Sequence, residues 1–266
     1  MTAPEILFID SEAIANPAVM NHVYRDMTRD YYVADDWSQK FYCMQAARGF
    51  IAVGYQTPEG TQLLLPQIQK SYCVLDWDKL DNSAASIRKQ VKKSNFRMKI
   101  NANPASVIEK ISEYHGSKNW VCSKYKDLCM RLFQAGNINV PCFTDSATVF
   151  RMCSVELYQD GILIAGELGY IIGSVFTSLT GFCKREKKIS IGKIQIFALA
   201  LILRSCGLKF LNLGQPPENG LMQYKADLGG VTIERLEFIA KWIDGIRAAG
   251  DVGKFISTDI LVSSLL

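Results

Sequence analysis

Along the chain the apolar and polar positions change period several times, and each change predicts an element. Asp35 to Arg48 is spaced as a helix, with Gly49 as its stop. Phe50 to Gln56, Gln62 to Pro66 and Ser71 to Trp77 read as strands, and Pro58-Glu59-Gly60 as a turn. The polar stretch Asp78 to Ala84 reads as a boundary. Beyond it, Ala85 to Ser94 reads as a helix and Phe96 to Ala102 as a strand. Asn103 and Pro104 place a cap and a first-turn proline ahead of a helix to Tyr114. Ser123 to Ala135 is another helix, ended by Gly136. Phe150 to Gln159 and Ile162 to Ile172 flank Asp160-Gly161, a strong hairpin signal, and Val175 to Phe182 adds a third strand. A loop, Cys183 to Ile191, leads into the apolar helix Gly192 to Cys206, closed by Gly207. Lys209 to Leu213 reads as a strand, Leu221 to Leu228 as a short helix and Val231 to Ala240 as a final strand.

This order predicts the α+β class. A small N-terminal α+β domain is expected over residues 1–82, and a larger domain with a mixed, largely antiparallel sheet over 83–250. Residues 251–266 form an apolar tail without a motif. An antiparallel meander followed by loop, helix, strand, helix and strand is the order of a GNAT-like acyltransferase domain. That is a fold-level analogy and fixes no reaction, and a mixed sheet of another topology competes with it.

Composition narrows the class. The 266 residues are 48% hydrophobic and 21% charged, which supports a real core and excludes a disordered or disulfide-stapled chain. None of the eight cysteines forms a Cys-x-x-Cys pair, so reduced thiols of a cytoplasmic protein are expected. His22 and His115 stand far apart without ligand-spaced companions, so no metal site is expected. The start, Met1-Thr2-Ala3-Pro4-Glu5, has an early acid and no basic region, unlike a signal peptide. The most apolar window, Ile194 to Leu203, is too short for the ~20 residues of a spanning helix, so no membrane partner is expected.

A net charge of +4 excludes a generally basic nucleic-acid coat, and DNA is not an expected partner. Placement says more. Arg88, Lys89, Lys92, Lys93, Arg97 and Lys99 lie in a stretch, 82 to 108, without an acid. Lys184, Arg185, Lys187 and Lys188, broken only by Glu186, precede Ser190-Ile191-Gly192 at the start of a helix, whose free N–H groups suit a phosphate. A polyphosphate, a coenzyme A or an RNA end would satisfy such clusters; two solvated faces are the plain alternative.

The residues also resemble a known family. Ser86-Ile87-Arg88-Lys89 followed by Phe96-Arg97-Met98-Lys99, then Asn119-Trp120-Val121, Leu132-Phe133-Gln134-Ala135-Gly136 and Ser154-Val155-Glu156-Leu157-Tyr158 are similar, in order and spacing, to motifs of the leucyl/phenylalanyl-tRNA–protein transferases. So are Leu163 to Gly169, Gly173 with Phe176, and Lys193 with Lys209-Phe210-Leu211-Asn212. The resemblance covers about Ser86 to Gly230. It implies transfer of an amino acid, Leu or Phe, from the 3′ acceptor end of aminoacyl-tRNA to the N-terminus of an acceptor protein or peptide, tagging it for degradation, with no cofactor.

Site residues follow from that resemblance. Trp120 falls near the terminal adenosine, and Arg88, Lys89, Lys92, Lys93, Lys184, Arg185, Lys187, Lys188 and Lys193 would hold the tRNA. Ile196, Leu199, Leu203 and Leu211 fall on the lining of the aminoacyl pocket; plain core packing explains their spacing equally well. Gly220 to Gly230 resembles a stretch of the Fem-type aminoacyl-tRNA transferases, and there Lys225 would meet a tRNA phosphate; a surface lysine beside a glycine turn is the favoured plain alternative.

The departures are as informative. Leu179, in the pocket, stands where the family has a glutamate, and Asn212 where it has an aspartate, with Gln215 one place later than the family's glutamine. The paired tryptophans of the family's N-terminal domain fall on Leu63 and Leu64, and Asn137 to Arg151 is an insertion. Asn212 cannot accept a proton as a carboxylate can, so Asn212 and Gln215 are expected to orient the attacking amine, and Glu167, within an apolar strand, is either the replacement base or, the favoured plain reading, a strand-edge charge facing solvent. Two other readings keep the fold: an acyl-coenzyme A donor, and a non-catalytic tRNA- or degron-binding protein.

Overall fold

The computed structural model describes residues 7–83, 85–92, 94–142, 147–186, 189–218 and 222–266. The expected contacts Lys93, Lys187 and Lys188, and the start of the expected short helix at Leu221, lie outside the described residues. In chain order the strands are β1 (Ile51–Gln56), β2 (Gln62–Gln67), β3 (Ser71–Leu75), β4 (Arg97–Ile100), β5 (Ile138–Pro141), β6 (Ala147–Gln159), β7 (Ile162–Ile172), β8 (Val175–Cys183), β9 (Phe210–Asn212), β10 (Val231–Glu234) and β11 (Asp259–Leu261). β1 and β2 make an antiparallel hairpin of their own. The others form one sheet in the order β10-β3-β9-β8-β7-β6-β4-β11, with β5 paired to the first part of β6.

Every pairing in that sheet is antiparallel except β8 with β9. A parallel pair needs a crossover, and the Ile191–Ser205 helix provides it. That helix is buried along nearly its whole length. It is apolar all round because it lies between the sheet and the helices Trp77–Ser83 and Ala85–Val91. Trp77 anchors the first of these by donating its Nε1–H to the Leu208 carbonyl, 2.7 Å away.

Two cores cover the two faces of the sheet. The first is rich in aromatic rings, among them Phe41, Tyr42, Tyr125, Phe150, Tyr170, Phe238 and Trp242. It is closed by the helices Pro17–Arg25, Gln39–Ala47, Pro104–His115, Ser123–Ala135 and Arg235–Arg247. The second gathers the Ile191–Ser205 helix with Ile87, Val91, Val155, Ile171, Leu211 and Phe255. The α+β class and the GNAT-like order of meander, crossover helix and parallel strand are therefore as expected.

Several sequence expectations need correction. The run Val231 to Ala240 is a strand only to Glu234, and the Arg235–Arg247 helix follows. Leu236, Phe238 and Ala240 mimic alternation, whereas Arg235, Phe238, Ile239, Trp242 and Ile246 form the buried helical face. The polar stretch near residue 80 is helical, and the boundary near residue 82 does not divide the sheet, since β3 lies between β9 and β10. The tail is built in as well: β11 pairs with β4, and Phe255 and Val262 are in the second core. Ser11–Ala15, Pro17–Arg25, β5 and the first residues of β6 had no counterpart in the sequence reading.

Gly173 fixes how the Arg235–Arg247 helix meets the sheet. It turns β7 into β8 with a φ of 57°, and a Cβ there would lie 2.3 Å from the Ile246 carbonyl oxygen. Gly173→Ala should therefore lower unfolding free energy by about 2 kcal/mol, from a left-handed alanine and an overpacked turn. Urea denaturation reads this directly, and an unchanged midpoint would contradict the close approach.

Candidate active site

The parallel pairing of β8 with β9 is short. It runs from Val175 to Thr177 on one strand and Phe210 to Asn212 on the other, and then β9 ends while β8 continues to Cys183. Just past that point β8 is irregular. Gly169 of β7 pairs with Ser178 and Leu168 with Thr180, so Leu179 has no partner. Bulges of this kind redirect side chains, and they recur beside active sites.

Glu167 stands at this place. It is 7% exposed and lies on the second-core side of β7, like Ala165 and Ile171. Its carboxylate accepts a hydrogen bond from the Ser178 hydroxyl. A Cβ at Gly181 would sit 2.3 Å from its Oε2, so the glycine makes the cradle in which the carboxylate lies. Burial pushes the Glu167 carboxyl up to about 7, while the Ser178 hydrogen bond and the charge of Lys225 pull weakly the other way. Such a group exchanges protons at neutral pH.

Lys225 faces the cluster from the Tyr224–Asp227 helix. Its amine donates to the Leu213 and Gln215 carbonyls, each at 2.7 Å, and it is 5% exposed. Burial lowers its pKa, and Cys73 and Glu167 oppose that. Beside it, burial and then the charge of Glu167 raise the Tyr224 phenol well above its usual range. From the other side His115 Nε2 lies 3.1 Å from the Gly181 carbonyl and 3.2 Å from Thr180 Oγ1.

The other expected site residues are dispersed. Asn212 points to the first-core side, where its Nδ2 lies 3.4 Å from Thr177 Oγ1 and its Oδ1 accepts the Gly214 N–H at 2.9 Å. It shapes the turn out of β9 and does not meet Glu167. Gln215 is exposed at the rim of a cavity of about 400 Å³, shared with Asp30, Gln67, Gln69, Lys70 and Ser71. Lys225, expected at a phosphate, clamps a loop instead, because two carbonyls hold its head inside the protein. Ile196, Leu199, Leu203 and Leu211 are packed into the second core, none more than 4% exposed, while partly buried Leu179 packs against the first. The structure does not gather these five into one pocket.

The basic residues also separate. Arg88 is half-buried with its guanidinium 5.3 Å from the centre of the Phe197 ring, which draws the Ala85–Val91 helix onto the crossover helix. Lys89, Lys92, Lys184 and Arg185 are exposed, and Lys184 pairs with Glu186 at 3.6 Å. Lys193, in the first turn of the crossover helix, is paired with Asp227. Arg97 and Lys99 both meet Asp259 of β11, so a tail residue supplies an acid to the acid-free stretch. Trp120 is on the other face of the sheet, packed edge-on against Tyr125 at 4.9 Å.

Two polar groups carry contacts that the sequence does not show. Ser178 pairs with Gly169 and so reaches Glu167 diagonally on the same face, while the bulge brings Gly181 opposite the carboxylate. Glu156 is fully buried and accepts the Ala102 and Asn103 N–H groups at 3.1 and 2.9 Å and the Ser154 hydroxyl at 2.7 Å. It anchors the start of the Pro104–His115 helix, and its signal was the acid inside an apolar strand. Among the described residues no group of His, Cys, Asp and Glu could hold a metal, all eight cysteines are free, and no helix is long and apolar enough to cross a membrane.

A bulged strand that outruns its parallel neighbour and is joined to it by a buried crossover helix is the arrangement of a GNAT-like fold. The chain belongs to the leucyl/phenylalanyl-tRNA protein transferase family, whose model matches residues 74–242, from within β3 to Trp242. This is a family of aminoacyl-tRNA-dependent transferases. No curated protein matches the chain. Among solved structures it is similar to L-PGS from Bacillus licheniformis, with 11% identity and a TM-score of 0.41 over 77% of this chain and 69% of that one. It is also similar to the C-terminal DUF2156 domain of a proposed lysylphosphatidylglycerol synthetase from Agrobacterium fabrum, with 11% identity and a TM-score of 0.34 over 72% of this chain and 62% of that one.

Proposed function

We propose that this protein takes an aminoacyl group, Leu or Phe, from the 3′ end of aminoacyl-tRNA and joins it by an amide bond to an amine, the N-terminus of an acceptor protein or peptide. The observation that carries this reading is the cluster of buried Glu167 and Lys225 with partly exposed Ser178 at the bulge, where β9 ends and β8 runs on. Amide formation from an ester needs no added activation, but it needs the amine held at the carbonyl and a place for its proton. The family's carboxylate positions carry Leu179 and Asn212 here, and this cluster supplies a carboxylate on the neighbouring strand. Exposed Lys89, Lys92, Lys184 and Arg185 supply positive charge for the donor's phosphates.

Incubation with mixed charged tRNA and peptides starting with Arg or Lys tests this reading. Mass spectrometry should find the peptide heavier by one Leu or Phe residue. No transfer from any charged tRNA would reject it. Donor binding should also be steeply salt-dependent: four phosphate contacts to single-stranded RNA imply a loss of about 50-fold between about 0.05 and 0.2 M salt.

A further inference from the structure

Glu167 is buried behind Ser178, which is itself partly exposed beyond the end of β9. An amine arriving from solvent therefore meets the hydroxyl before the carboxylate. The hydroxyl already points the right way, since it donates to Glu167 Oε1 and leaves its lone pairs free. The Gly181 cradle fixes the second carboxylate oxygen. We propose that Ser178 and Glu167 form a proton relay in the aminoacyl transfer proposed above, with Ser178 meeting the attacking amine and Glu167 storing its proton. The inference rests on that reading of the function.

The step balances without any further reactant. The amine lone pair attacks the ester carbonyl carbon, and a C–N bond forms. A proton leaves that nitrogen for Ser178 Oγ as the hydroxyl proton moves to Glu167 Oε1. When the C–O bond to the ribose breaks, the relay runs backwards and the ribose oxygen takes the proton. Glu167 and Ser178 end as they began.

The groups around the relay keep the carboxylate usable. Lys225 faces it from the Tyr224–Asp227 helix, held by the Leu213 and Gln215 carbonyls. The Tyr224 phenol stands beside it, with Cys73, Cys183 and Tyr114 around that phenol. His115 approaches through the Gly181 carbonyl. Glu156 of β6 is on the opposite face, because Val155 and Leu157 both lie in the second core. One cation and no second carboxylate thus face Glu167 among the described residues.

The test compares wild type, Glu167→Gln, Ser178→Ala and Ser178→Thr in the transfer assay across neutral pH. In Glu167→Gln, kcat should fall about 100-fold with KM for the charged tRNA within about two-fold, and the acidic limb of the pH profile should vanish. Ser178→Ala should lose about ten-fold and move that limb to higher pH, because the hydroxyl bond favours the ionised carboxylate, and Ser178→Thr should restore both. Infrared difference spectra provide a readout apart from turnover: a carboxylic-acid band titrating near neutrality in wild type, absent in Glu167→Gln and displaced in Ser178→Ala. Transfer by wild type with an unaltered limb in Glu167→Gln, or a band indifferent to Ser178→Ala, overturns the relay and leaves the transferase reading standing. A wild type inactive with every charged tRNA overturns both.

Discussion

Replacing Arg235 with methionine should cost this protein about 3–5 kcal/mol, enough to leave little folded chain at 37 °C. Arg235 is fully buried at the first position of its helix, where a cation gains nothing from the helix dipole. Its value is tertiary. The guanidinium donates to the carbonyls of Val23, Asp26, Arg29, Ile68 and Gln69, and one nitrogen lies 3.1 Å from Asp30 Oδ1. One side chain thus ties the end of the Pro17–Arg25 helix and the segment after β2 to the helix that follows β10. Methionine fills the volume but leaves the buried carbonyl contacts to Val23, Ile68 and Gln69 unmade. Lysine keeps the charge but not the planar fork, so Arg235→Lys should still lose about 2 kcal/mol. Asp30 is more exposed than the arginine, at 35% against 0%, so Asp30→Asn should cost less than about 1 kcal/mol. Equal losses in Arg235→Met and Asp30→Asn, measured by urea unfolding, would make this an ion pair and not a carbonyl knot.

The sequence made legible those features that rest on local chemistry. The Asp160-Gly161 turn has φ values of 51° and 79°, as a two-residue hairpin demands, and Asn103 caps its helix through the Ser106 N–H. The apolar crossover helix was legible because buried length is written in composition. Features set by distant partners were not. No window around residue 90 contains Asp259, yet that residue pairs with Arg97 and Lys99. The helix after β10 reads as a strand until Trp242 and Ile246 are included, and β3 gives no sign that its partners are β9 and β10.

The candidate site follows the same division. Glu167 was visible as a charge in an apolar strand, but whether it faced solvent depended on the fold. Asn212 and Gln215 were expected to act together, and in three dimensions Asn212 serves the turn after β9 on the other face from Glu167, while the Gln215 side chain stands at a cavity rim. Ser178 was not legible because its nearness to Glu167 depends on the β7–β8 register, in which it pairs with Gly169. Family membership fixes the kind of donor, while the buried carboxylate is read from this chain's own geometry.

That carboxylate carries a stability cost with a definite sign. The Glu167 carboxyl titrates at about 7 in the folded protein against an ordinary value of 4.5, chiefly because it is buried. Between those values the folded chain holds a proton that the unfolded chain has released, so stability falls as pH rises from about 4.5 to 7 and levels off above. The loss is about 3 kcal/mol at most, on the order of the free-energy equivalent of that difference. Glu167→Gln keeps the shape and removes the titration. It should therefore match wild type near pH 5 and exceed it by about 2–3 kcal/mol at pH 8, even as transfer is lost. Lys225 gives up a neighbouring anion in that variant, but its bonds to Leu213 and Gln215 remain, which limits the offset. Urea unfolding at the two pH values decides it. A variant less stable than wild type at pH 8 would mean that Glu167 is ionised and structurally satisfied, and a base already so well satisfied would have little drive to take a proton from an amine.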